Sequence, residues 1–162
     1  MLNMEDLSQF LQLFRPLPGN RYIQITTKPD NTTQALQELL QNVDGTLRLA
    51  LYTKENHTTN LETQYIKELT QTYRALPREH DKVILKDIYV KHQNKTQLLK
   101  TSYTTLANTA DIIIMEKKGI INQEELYETL IEHEFRTPNN IDILKDYDII
   151  VAKKMHMWGN GL

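Results

Sequence analysis

The chain has 162 residues, no cysteine, five glycines and a formal net charge of -2. One domain of ordinary soluble composition fits that length, and the absence of cysteine excludes a disulfide framework and any thiolate metal site. The near-neutral charge argues against a protein built to coat nucleic acid or an acidic membrane, and the scattered glycines form no GxGxxG or Walker-type phosphate loop.

Residues Asn3 to Phe14 carry Leu7, Phe10, Leu11 and Phe14 at helical spacing, and Arg15-Pro16-Leu17-Pro18-Gly19 ends that helix. Residues 1–19 are thus an N-terminal helix and proline-rich link to a single domain spanning 1–162. A strand is expected at Arg21 to Thr26, then a helix with Leu36, Leu39, Leu40 and Val43 closed by Asp44-Gly45, then a strand at Leu47 to Tyr52. Asn60 reads as the cap of a helix holding Leu61, Tyr65, Ile66, Leu69 and Tyr73. Residues Arg74 to His80 form a link with room for a very short strand. Lys82 to Leu85 is a strand, and Asn94 with Gln97 opens a helix that buries Leu98, Leu99, Tyr103 and Leu106. Asp111 to Met115 is a continuous apolar run, the mark of a strand buried on both faces. Asn122 with Glu125 opens a helix reaching Phe135. Two strands, Ile141 to Leu144 and Asp148 to Ala152, follow with a gap too short for a parallel crossover, so they form an antiparallel hairpin. The pattern predicts an α/β, Rossmann-like three-layer sandwich: a mainly parallel twisted sheet, helices on both faces and a C-terminal antiparallel hairpin.

The second half resembles the C-terminal half of the class I S-adenosylmethionine-dependent methyltransferases. The resemblance rests on Asp81-Lys82-Val83-Ile84-Leu85-Lys86-Asp87, the helix around Leu98 to Leu106, Asp111-Ile112-Ile113-Ile114-Met115-Glu116, the helix Glu124 to Phe135 and the closing hairpin to Lys154. The first half follows the same element order. It departs at the turn after the first strand, where the family carries glycines and this chain reads Thr26-Thr27-Lys28-Pro29-Asp30-Asn31-Thr32-Thr33. Glycine lets a backbone approach a ligand closely, and Pro29 removes a donor N–H.

The resemblance implies S-adenosylmethionine as cofactor and directs attention to the C-terminal ends of the strands, where open α/β sheets bind ligands. Glu55, just past the second strand, lies near where the family places an acid on the ribose hydroxyls; an exposed loop glutamate is the plainer role. Thr27, Asn31 and Thr32 lie in the turn that would meet the methionine end; for Asn31 and Thr32, helix capping is the plainer role. Asp87, Tyr89 and His92 follow the fourth strand on the acceptor side, with His92 as a candidate general base and Asp87 to orient it; the alternative is a solvated loop around a half-buried Tyr89. Met155-His156-Met157-Trp158 offers soft-metal ligands on paper, but a packed strand end or an oligomer contact fits its alternation better. No HExxH spacing, no GxSxG elbow and no basic or aromatic nucleic-acid surface is present.

Two readings follow. One is a small S-adenosylmethionine-dependent methyltransferase-like enzyme with a degenerate cofactor loop, acting on a small-molecule or protein acceptor. The other is a non-catalytic methyltransferase-fold binding or assembly module; the sequence leans slightly to the first. A doubly wound domain for another nucleotide ranks below both, because the phosphate loop is missing. Phe10, Phe14 and Trp158 suggest a homodimer. With neither a signal peptide nor a run of roughly 18 apolar residues, no membrane association is expected and the cytoplasm is the default compartment.

Overall fold

The computed structural model describes residues 1–155. Seven strands form one sheet in the order β3-β2-β1-β4-β5-β7-β6. They are β1 Arg21–Thr26, β2 Thr46–Tyr52, β3 Thr63–Ile66, β4 His80–Lys86, β5 Leu106–Lys117, β6 Phe135–Asn140 and β7 Tyr147–Lys154. The helices are α1 Met4–Leu11, α2 Asn31–Gln41, α3 Lys95–Thr105 and α4 Gln123–Glu132. β1 to β5 run parallel, and β7 is inserted antiparallel between β5 and β6. This is the expected Rossmann-like sandwich.

Strand alternation divides the core between two faces. Ile23, Ile25, Val83, Leu85, Ile112 and Ile114 pack against Leu98 and Leu99 of α3 and Leu126 and Leu130 of α4. Tyr22, Leu47, Ile84, Ile113 and Met115 pack against Phe10 of α1 and Leu36 and Leu40 of α2. Fully burying side chains of this kind is worth about 1.5–3 kcal/mol each, so the two faces carry most of the stabilisation. Gly45 is fixed by space: a Cβ there would stand 2.6 Å from the Asn20 carbonyl oxygen and 2.9 Å from Leu40 Cδ2. No helix among the described residues is long and apolar enough to cross a membrane.

Three expected elements differ. The helix expected from Asn60 through Tyr73 is absent. Thr63–Ile66 instead forms edge strand β3, and Ile66 and Tyr73 enter the core separately, one from the strand and one from the following loop. Pairing with β2, from Leu49↔Thr63 to Tyr52↔Ile66, overrides a spacing that only imitates a helix. The first hairpin strand is Phe135–Asn140 rather than Ile141 to Leu144, so α4 ends at Glu132 and Phe135 is a strand residue. The first helix stops at Leu11, and Phe14 follows it in the chain beyond a turn. Phe10 and Phe14 are 0% and 2% exposed, with ring centroids 5.0 Å apart, so they are core residues and offer no dimer surface. Trp158 and the rest of the soft-metal motif after Met155 lie outside the described residues.

Candidate functional site

The parallel strands β1, β2 and β4 end together at Thr26, Tyr52 and Lys86. Thr26 (2%), Tyr52 (6%) and Lys86 (1%) are all buried, so the chain's own side chains fill this edge.

The turn after β1 is organised by Asp30, the N-cap of α2; Asn31 and Thr32 are the helix's first two residues and not its cap. Asp30 Oδ1 accepts from Thr32 N–H at 2.9 Å and from its hydroxyl at 2.5 Å. Thr33 Oγ1 accepts from Asp30 N–H at 3.1 Å and donates to Gln24 Oε1 at 2.5 Å, while Gln24 Nε2 donates to Thr32 Oγ1 at 2.9 Å. Gln24 sits fully buried in β1, so strand and helix start are joined by a closed set of bonds in which each of these hydroxyls both donates and accepts. Asn31 is committed elsewhere: Nδ2 donates to the Leu2 carbonyl at 2.6 Å and Oδ1 accepts from Leu2 N–H at 3.1 Å. The segment preceding α1 is thereby strapped across the α2 N-terminus. Thr27 is half-buried in the same turn.

Lys86, at the end of the central strand β4, reaches this turn. Its ammonium lies 2.9 Å from Asp30 Oδ2 and 2.7 Å from Asp87 Oδ2, and it donates to the Tyr147 hydroxyl at 3.3 Å. It also stands 4.8 Å from the Tyr147 ring centroid. Tyr147 in turn donates to Asp87 Oδ2 at 2.9 Å. The Met1 amino group lies 3.3 Å from Asp30 Oδ2. Burial opposes ionisation of both Asp30 and Lys86. Hydrogen bonds from Thr32 and Lys86 outweigh it for Asp30, whose carboxyl is held below the usual range; those to Asp87 and Asp30 outweigh it for Lys86, which is held above the usual range. Sequence reasoning missed Lys86, Asp30 and Tyr147. The available signal was a lysine closing an otherwise apolar run in the sheet centre.

His92 belongs to a second cluster. Its Nδ1 accepts from Asn94 N–H at 2.9 Å, so the neutral ring carries its proton on Nε2, which faces the Gln71 carbonyl at 3.0 Å and the Tyr52 hydroxyl at 3.2 Å. Tyr52 donates to the same Gln71 carbonyl at 2.6 Å. The lone pair a general base would use is occupied by a backbone donor. Burial, foremost, lowers the His92 pKa. Asp87 and His92 thus have separate partner sets. Tyr89 is 8% exposed, its pKa pushed up to about 12 chiefly by burial, and it lines a cleft of about 220 Å³ with Val90, Lys95, Ile121, Asn122 and Glu125. Glu116 closes β5 and accepts from Val90 N–H at 3.1 Å, anchoring the same loop. Glu55 is exposed, its own N–H donating to Thr53 Oγ1 at 3.1 Å. Among the described residues no group of three or more His, Asp or Glu side chains is placed to hold a metal ion.

No protein-family model matches the sequence, and no curated protein matches it. Solved structures do match in shape. An S-adenosylmethionine-dependent methyltransferase from Aquifex aeolicus superposes with a TM-score of 0.72 at 10% identity, covering 94% of this chain and 91% of its own. One from Mesorhizobium loti gives 0.68 at 7% identity, covering 90% and 96%. The phosphoethanolamine N-methyltransferase 2 of Haemonchus contortus, solved with S-adenosylmethionine, gives 0.67 at 10% identity, covering 95% of this chain and 53% of its own.

Several donors and acceptors at the β1 turn are already in use within the chain. A ligand with a carboxylate, an ammonium and a sulfonium needs free donors and free carboxylates at the β1 turn. Here the Thr32 N–H is taken by Asp30, the Asn31 amide by Leu2, and Oδ2 of both Asp30 and Asp87 by the Lys86 ammonium. What strand order, strand direction and superposition establish together is the architecture: this chain has the fold of the class I S-adenosylmethionine-dependent methyltransferases.

Proposed function

We propose that this protein is a non-catalytic member of the methyltransferase fold, a binding or assembly module whose cofactor site is closed by its own side chains. The observation that supports this most is the buried Lys86 ammonium held between Asp30 and Asp87 at the junction of β1, β4 and α2. A desolvated lysine with two carboxylate partners is costly to displace, because moving it strips the part-buried Asp87 of its cation and leaves the buried Asp30 carboxylate with the Met1 ammonium alone. The internal bonds of Asn31, Thr32 and His92 point the same way.

Titration calorimetry with S-adenosylmethionine and S-adenosylhomocysteine tests the reading. The closed site predicts no heat at millimolar ligand. Micromolar binding that Glu55→Ala weakens would restore the enzymatic reading, with Thr27, Asn31, Thr32 and Glu55 on the cofactor and Asp87, Tyr89 and His92 on the acceptor side.

A further inference from the structure

We infer that Asp30, Asp87 and Tyr147 form a cation site whose occupant is tethered, the Lys86 side chain filling from within a pocket that takes an alkylammonium ion when the tether is cut. This deepens the closed-site reading and rests on it for the meaning of the site. Two carboxylates from two different loops and an aromatic ring from the start of β7 converge on one nitrogen, at 2.9 Å, 2.7 Å and 4.8 Å. Two carboxylate oxygens with a tyrosine hydroxyl and ring beside them are what a primary ammonium recognises.

The cage is held by bonds that do not involve Lys86. Asp30 is fixed through Oδ1 by the Thr32 N–H and hydroxyl. Asp87 accepts from the Tyr147 hydroxyl, and its N–H donates to the Met115 carbonyl at 3.0 Å with the backbone at φ 60°, a left-handed conformation that aspartate tolerates better than most residues. Tyr147 begins β7, paired with Lys117 of β5. Removing the lysine therefore leaves two acids facing one vacated volume, with the Met1 ammonium on the Asp30 side alone, and their repulsion is relieved by a proton or by a cation that fills the volume.

Lys86→Ala deletes Cγ, Cδ, Cε and Nζ, which are the heavy atoms of n-propylammonium. The experiment follows thermal unfolding of Lys86→Ala in rising n-propylammonium chloride, with 1-propanol and sodium chloride as controls. The cage predicts a saturable rise in melting temperature with the amine, half-complete at a concentration at least about tenfold below that needed of 1-propanol. The wild-type protein and the triple variant Lys86→Ala, Asp30→Asn, Asp87→Asn give no such rise. Should Lys86→Ala be unfolded in plain buffer, circular dichroism across the same titration reads its refolding instead. An equal response to amine and alcohol, or none to either, overturns the proposal. Binding of S-adenosylmethionine to the wild-type protein would overturn the closed-site reading alone and leave the amine result standing.

Discussion

Two buried polar clusters occupy the same end of the sheet, and they are built from opposite chemistry. Around Lys86 an ammonium and two carboxylates are bridged by a neutral tyrosine. Around His92 the members are neutral: a tyrosine hydroxyl, two backbone groups and an imidazole whose two nitrogens are both in use. The ionic cluster joins the β1 turn, β4 and β7. The neutral one joins the end of β2 with the loops after β3 and β4. The contrast teaches what each can survive: an ion pair in low dielectric depends on every partner being present, whereas a neutral hydrogen-bond cluster loses little per bond but resists protonation.

Breaking the ionic side carries the largest expected effect. Lys86→Met leaves Asp30 with only the Met1 ammonium and the part-buried Asp87 with no cation, and should cost about 3–4 kcal/mol of unfolding free energy, read by urea denaturation. Adding Asp30→Asn and Asp87→Asn should regain part of that loss, because no charge then stays buried. The second effect is on pH and involves the other buried histidine, His80. His80 Nδ1 faces the Thr105 hydroxyl at 3.0 Å, whose one proton goes to the Leu76 carbonyl, while Nε2 is buried without a hydrogen-bond partner. Burial, then the charge of Arg48, pushes its pKa down to about 4. A histidine depressed on folding contributes stability that is fully present above its unfolded value near 6.5 and is lost as pH falls toward 4. The predicted loss is about 3 kcal/mol over that window, with His92 adding in the same direction, and His80→Asn should flatten the slope. The ionic cluster behaves otherwise. The lowered Asp30 contributes above its unfolded value of about 3.9 and is lost as pH falls past it; the raised Lys86 contributes below its unfolded value of about 10.4 and is lost only as pH rises through its raised folded value. It therefore contributes a near-constant amount down to about pH 5, below which the Asp30 share begins to fall as well.

Tyr52→Phe sharpens the comparison from the neutral side. It deletes the bond to Gln71 but leaves His92 Nε2 to satisfy the same carbonyl, so the expected cost is about 1 kcal/mol in the same denaturation assay. Smallest of all is Glu55→Ala, in an exposed loop, which should change stability by under about 0.5 kcal/mol.

Much of the fold is legible in the residues because its signals are local. Apolar alternation marks β1, β2 and β4, the run Ile112 to Met115 marks the buried centre of β5, and Asn94 and Asn122 announce α3 and α4 by capping. β3 is not legible. Leu61, Tyr65, Leu69 and Tyr73 repeat every four residues and imitate a helix, and only pairing with β2 decides against it. β6 hides for another reason: Arg136-Thr137-Pro138-Asn139-Asn140 is a polar edge strand without alternation, beside the more apolar Ile141 to Leu144. The missing glycines of the β1 turn were visible as a departure, but what replaces them was not. Lys86 and Asp30 stand 56 positions apart, and a lysine ending a strand usually points to water. Asn31 and Thr32 stand in the turn after β1, and their partners Leu2, Asp30 and Gln24 appear only once the chain is folded.

The proposed closed site rests on the buried Thr26, Tyr52 and Lys86 side chains at the C-terminal ends of β1, β2 and β4. Amide NMR of the ¹⁵N-labelled protein, titrated with S-adenosylhomocysteine, reads that claim residue by residue. The account predicts that the signals of Thr27, Asn31, Thr32, Lys86 and Asp87 stay where they are at millimolar ligand. Saturable shifts clustered on those residues would contradict it.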